Sequence, residues 1–107
     1  MAAEPYVQQD PNPHPVTFQM PAGAIDAHMH VIGPFDQFPL SPKAQYQPFA
    51  ATWQEQKSIL CDKLGFWGYV VVQATCHGTD NRVVVDACEK MEGRAAGVAS
   101  VTEDVSM

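Results

Sequence analysis

Tyr69-Val70-Val71-Val72 narrows most sharply what this chain can become. A run this apolar, with three β-branched residues in a row, reads as a strand buried on both faces, the pattern of a parallel sheet. Parallel strands need long crossovers, usually helices, and the sequence supplies them on both sides. Before the run, Thr52-Trp53-Gln54-Glu55 is a capping box, S/T-x-x-E, which predicts a helix over 53–64. Trp53, Leu60 and Leu64 share its apolar face with Ile59 beside them, and Gly65 ends it. The strand itself is expected over 67–75. After it, Thr79 or Asp80 caps a helix over 81–91, with Val83, Val84, Ala87, Cys88 and Met91 on one side and Gly93 as its stop. A weaker strand of small residues follows over 95–101.

A further strand is expected upstream, over 24–31, where Ile25-Asp26-Ala27-His28-Met29-His30-Val31 alternates. Side chains on a strand point to opposite faces in turn, so Ile25, Ala27, Met29 and Val31 are expected on one face and Asp26, His28 and His30 on the other. An acid and two imidazoles on one strand face are costly to bury unless something there uses them. Residues i and i+2 lie about 6.5 Å apart along a strand, so both imidazoles reach one ion or one substrate group. Asp26 is read either as a group that orients an imidazole or as a structural hydrogen-bonding residue. The order strand, helix, strand, helix, strand builds two right-handed β-α-β units. His28 and His30 then sit at the C-terminal end of the first strand and His77 at that of the second, the edge where α/β folds carry their chemistry.

A chain of 107 residues with 46% hydrophobic content suits one small domain or a piece of a larger one. Six Lys and Arg against twelve Asp and Glu give a net charge of −6, so nucleic acid is not an expected partner. No apolar stretch approaches the ~20 residues that cross a bilayer, and the N-terminus lacks the features of a signal peptide. Cys61, Cys76 and Cys88 form no CxxC pair and read as reduced thiols in a cytosolic protein. Cys76 and Cys88 are expected as buried small hydrophobes. Residues 1–22, with Pro5, Pro11, Pro13 and Pro15, read as an extended arm in which His14 is solvated. Residues 33–51 form a long irregular segment holding Phe35, Phe38, Tyr46 and Phe49, placed to wall a pocket beside the histidines.

Asp26-Ala27-His28-Met29-His30 at a first strand end resembles the HxH signature of the amidohydrolase superfamily. The stretch Val72-Gln73-Ala74-Thr75-Cys76-His77-Gly78-Thr79-Asp80-Asn81, with Pro21-Ala22-Gly23 before the first strand, narrows this. It resembles the branch that holds 2-pyrone-4,6-dicarboxylate hydrolases and sulfomuconolactone hydrolases, over residues 21–106. The resemblance implies an α/β fold, the N-terminal three-strand portion (β-α-β-α-β) of a (β/α)8 TIM barrel, with the barrel part at 23–107; such barrels take ~250 residues. It implies opening of a lactone ring to a carboxylic acid in bacterial breakdown of aromatics, in the cytoplasm. By the same resemblance His28 and His30 are catalytic, holding and polarising the substrate carbonyl. As possible ligands of one divalent metal, zinc or manganese, they belong to a branch whose members also work without one.

Tyr46, Thr75 and His77 are implied to bind substrate, the last two sharing a face with Gln73. The family's further histidine, its general base and its carboxylate-binding arginines fall beyond Met107, so the chain is expected to be an N-terminal portion, inactive alone. The competing expectation is a complete, non-catalytic protein that binds a metal or a partner through the same strand ends. Strand-helix repeats continuing past Met107 would decide for the enzyme.

Overall fold

A computed structural model describes residues 9, 10 and 12–103. Three strands, β1 (Ile25–Met29), β2 (Gly68–Val72) and β3 (Ala95–Val98), form one parallel sheet in the order β1-β2-β3. The first helix, α1 (Trp53–Gln56), runs directly into a π-helical segment, Lys57–Lys63. A 3-10 turn, Thr75–His77, follows β2, and α2 (Arg82–Lys90) leads into β3. The order of strands and helices is the one the apolar patterning predicts. The expected arm over 1–22 lies partly outside the described residues. Among those described, Asn12 Oδ1 accepts from Lys63 Nζ at 2.9 Å, and His14 is exposed.

The core lies between the sheet and its helices. Tyr69 and Val71 alternate into it from β2, and Val83, Val84 and Ala87 of α2, with Met91 just past its end, meet them. Val70 and Val72, on the other face of β2, are half-buried rather than covered. Thr52 starts α1 as expected: its Oγ1 accepts from the Glu55 N–H at 3.4 Å and donates to Glu55 Oε1 at 3.3 Å. Further along, Leu64 N–H reaches back five residues to the Ile59 carbonyl at 3.0 Å, which is the wider π winding. The wider turn rotates successive side chains less than an α-helix does. Cys61 enters the core, with Trp53 and Leu60 packed against it.

The alternation of β1 is interrupted. Asp26 pairs with Tyr69 but Met29 with Val71, so three steps on β1 match two on β2. The expected apolar face splits at this bulge: Met29 and Val31 enter the core, while Ile25 is 48% exposed and Ala27 is exposed too. Asp26 Oδ1 accepts the His28 backbone N–H at 3.1 Å, holding the chain across the irregularity. At the start of β2, a Cβ on Gly68 would collide with the Arg94 carbonyl, so only glycine lets β3 approach there.

Neither Thr79 nor Asp80 is the residue that opens α2. Asn81 holds that place without a side-chain cap bond, because its amide is used elsewhere, on Thr79 O and on both backbone groups of Ser100. Asp80, one residue earlier, accepts from the Arg82 N–H and from its guanidinium, at 2.8 and 2.7 Å. That guanidinium holds the Asp80 carboxyl down to about 2. A carboxylate depressed on folding stabilises the fold above its ordinary range, and the contribution is lost as pH falls toward 2. The pair is exposed, so the effect is small at neutral pH. Asp80→Asn is expected to lower the neutral melting temperature slightly and to flatten the loss of stability between about pH 4 and 2 by that same small amount. Thermal melts across that range check this, and an unchanged acid slope would count against it.

Candidate active site

The C-terminal edge of the sheet gathers two pairs of side chains, one at each of two neighbouring strands. At the end of β1, His28 and His30 meet edge to face, ring centroids 5.5 Å apart and planes at 84°. Both are exposed on the side of the sheet away from the core. His30 is held from two directions. Its Nδ1–H donates to the Val72 carbonyl of β2 at 2.8 Å, and its own carbonyl accepts from Gln56 Nε2 of α1 at 2.6 Å. Because Nδ1 faces a carbonyl, it carries the proton, and Nε2 is the nitrogen left to act. In the neutral ring that nitrogen is a lone pair; in the protonated ring it is a donor.

At the end of β2, Tyr46 and Thr75 meet. Their hydroxyls lie 3.1 Å apart, and the Cys76 N–H donates to the Tyr46 oxygen at 3.3 Å. Burial pushes the Tyr46 phenol above its ordinary value, with the Thr75 contact opposing, so it stays a neutral donor and acceptor. Tyr46 arrives on the long loop after β1. That loop is closed at its base by paired bonds between Ile32 and Ala51, both 2.8 Å. It is tied to the β2 turn again where the Ser41 N–H meets the Cys76 carbonyl at 2.7 Å. Burial raises all three thiols, and Cys76 is fully buried, so none is poised as a nucleophile.

His77 and Gln73 lie elsewhere than the exposed face. His77 is 2% exposed, and both ring nitrogens bond to backbone of the long loop, Gly33 N and Pro39 O, each at 3.2 Å. Gln73 does not share a face with Thr75. The strand ends at Val72 and the chain turns into the 3-10 segment, which breaks the period of two. Gln73 instead continues the buried side of Tyr69 and Val71, and its amide donates to the Gly78 and Asp80 carbonyls, both at 2.9 Å. Gln56 and the Val72 carbonyl, which orient His30, were not among the predicted site residues. A polar side chain within a helix and a main-chain carbonyl leave no signal in a sequence.

Among the described residues, no three His, Cys, Asp or Glu side chains group to hold a metal ion. His28 and His30 supply two ligands where a zinc site takes three or more from protein, so these residues do not by themselves fit a resident metal. Nor is any helix among the described residues long and apolar enough to cross a membrane.

The amidohydrolase family matches this chain over residues 25–106. The chain is 52% identical over 95 residues to a 2-pyrone-4,6-dicarboxylate hydrolase of Comamonas testosteroni, an alignment covering 89% of this chain and 31% of that protein. It is 35% identical over 94 residues to a 4-sulfomuconolactone hydrolase of Hydrogenophaga intermedia, covering 88% and 31%. Among solved structures it resembles a probable 2-pyrone-4,6-dicarboxylic acid hydrolase of Acinetobacter baumannii crystallised with citric acid. The TM-score is 0.70 at 32% identity, over 78% of this chain and 31% of that one. The chain thus spans about a third of the length of the relatives it matches.

Proposed function

The chain belongs to the amidohydrolase family, and on that premise we propose that it forms the first three strands of a (β/α)8 barrel hydrolase that opens a carboxylated lactone such as 2-pyrone-4,6-dicarboxylate. A cytoplasmic site of action goes with that reading. The observation that carries it is the convergence of His28 and His30 with the Tyr46–Thr75 contact on one sheet edge, in a chain 52% identical to a hydrolase named for that lactone. Opening the ring forms a bond from a water oxygen to the lactone carbonyl carbon and breaks the ring C–O bond. Negative charge develops on the carbonyl oxygen as the water adds.

His28 and His30 are the groups assigned to that oxygen. His30 is aimed by Val72 and Gln56, and its Nε2 donates to the oxygen when the ring is protonated. Tyr46 and Thr75 are assigned to bind a substrate carboxylate, as neutral hydroxyls whose mutual contact fixes their spacing. The base that takes the water's proton is assigned to a later strand of the whole protein.

The test is the whole protein supplied with 2-pyrone-4,6-dicarboxylate and, separately, 4-sulfomuconolactone, with loss of the ring absorbance followed in time. Turnover of one of them is expected. Tyr46→Phe is expected to raise KM by about 3- to 10-fold and to change kcat little, since a neutral hydrogen bond to a bound group is worth about 0.5–1.5 kcal/mol. No hydrolysis of either lactone, with or without added zinc or manganese, would overturn the proposal.

A further inference from the structure

We infer that His77 is a positioning residue that sets the course of the long loop and so delivers Tyr46 to Thr75; this rests on the functional reading above. Its geometry differs from that of His28 and His30 in each respect that matters. The ring is 2% exposed, so no substrate atom reaches it without displacing the loop. Its Nε2 accepts the Gly33 backbone N–H at 3.2 Å, and an accepting nitrogen carries no proton. The proton is therefore on Nδ1, which donates to the Pro39 carbonyl at 3.2 Å. One neutral imidazole joins two points of the loop, and no polar atom of it remains for a ligand.

The first of those points is itself constrained. Gly33 is buried with φ +73, and a Cβ there would press on Ala50 and Phe35 at 3.2 Å. Only a few backbone courses satisfy that turn. The Ile32–Ala51 pairing closes the base of the loop, and the Ser41–Cys76 bond ties it once more before Tyr46. His77 supplies the ties between these two. The loop thus reaches Tyr46 along a path fixed by the turn after β2, the same turn that carries Thr75. The binding pair is assembled from both sides by one short segment.

An amide is the other side chain that offers one donor and one acceptor at this reach. In the whole enzyme, His77→Ala is expected to raise KM for 2-pyrone-4,6-dicarboxylate by about tenfold or more with kcat changed less than about threefold, because Tyr46 and Thr75 hold substrate and transition state alike. His77→Gln is expected to recover most of that loss. A second measurement needs no activity. In protein labelled with 15N-histidine, long-range proton–nitrogen correlations are expected to show His77 protonated at Nδ1 only. Those signals should stay unmoved when isophthalate is added, a ring dicarboxylate with the substrate's carboxylate spacing and no lactone.

A ring protonated at Nε2, or His77 signals that shift with isophthalate, would overturn the inference. So would a His77→Gln enzyme as impaired as His77→Ala, with the loss in kcat. Should His77→Ala fail to fold, the wild-type spectra and the His77→Gln kinetics decide. Should the enzyme open no lactone, the functional reading fails, and the spectra still judge the latch.

Discussion

His30→Ala in the whole protein is expected to lower kcat by about 10²–10³ while the melting temperature barely moves. The two halves of that outcome have separate causes. The ring lies outside the core, at the strand end that borders the candidate site, so its removal opens no cavity in the core, and water in the site can reach the Val72 carbonyl it leaves. The rate falls because Nε2 is the one nitrogen not spent on the fold, and its interaction grows as charge builds on the carbonyl oxygen. A contact that strengthens only in the transition state costs kcat and kcat/KM together when it is lost. His30→Asn sharpens the test. An asparagine amide sits where Nδ1 does and keeps the bond to Val72, but it has no atom in the place of Nε2. A His30→Asn enzyme as slow as His30→Ala assigns the effect to that nitrogen. A His30→Asn enzyme at wild-type rate would return the residue to a purely structural role. His28→Asn is expected in the same range, since the two rings meet at 5.5 Å and face the same side.

The Val72 carbonyl and Gln56 fix which nitrogen of His30 works, and neither was legible in the sequence. What could be read was what periodicity encodes. The unbroken Tyr69–Val72 run and the apolar face of 81–91 led to β2 and α2 within a few residues, and the capping box located the start of α1. Hydrogen-bond order is not encoded that way. Apolar spacing says which residues turn inward, not which carbonyl each N–H reaches, so the π winding of Lys57–Lys63 was hidden. The β1 bulge was hidden for a related reason: Ile25 to Val31 alternates without a flaw, and only the partner strand shows the extra residue.

A period of two puts Gln73 on the face of Thr75, but the strand stops at Val72 and that period ends with it, so the two residues lie on different sides. The candidate site divides along the same line. His28 and His30 announce themselves by spacing on a single strand. Tyr46 and Thr75 are 29 residues apart, and nothing in either local sequence pairs them; the family resemblance implies a substrate role for each, and the contact between their hydroxyls is visible only in the structure. His77 shared the motif of Thr75 and was read with it, although one residue faces solvent and the other is sealed. A motif in this turn is therefore two things at once. Thr75 borders the candidate site, while Gln73, His77 and Asn81 tie three loops to one another.

Tyr69→Ala is the substitution expected to cost the fold most, about 3–5 kcal/mol, the usual penalty for truncating a buried aromatic. Tyr69 is 1% exposed and stands among the largest fully buried side chains, between the π-helical segment and α2. Its loss leaves a void that neither helix can close without moving off the sheet. Against a total stability of about 5–15 kcal/mol, that brings the domain close to unfolding at ordinary temperature. The hydroxyl contributes far less than the ring. It donates to the Trp53 carbonyl at 3.5 Å, a long bond, and burial drives the phenol far above its ordinary value, so it never charges at neutral pH. Tyr69→Phe is accordingly expected to cost under about 1 kcal/mol.

The consequence reaches the site through β2, which presents the Val72 carbonyl to His30 and leads into the Thr75 turn. Where Tyr69→Ala protein still folds, His30 and the Tyr46–Thr75 pair should lose alignment together, while Tyr69→Phe keeps both. Urea unfolding of the two variants measures the first difference, and kinetics on a lactone the second. A Tyr69→Phe variant as unstable as Tyr69→Ala would show that the bond to Trp53, rather than the volume of the ring, holds β2 against its helices.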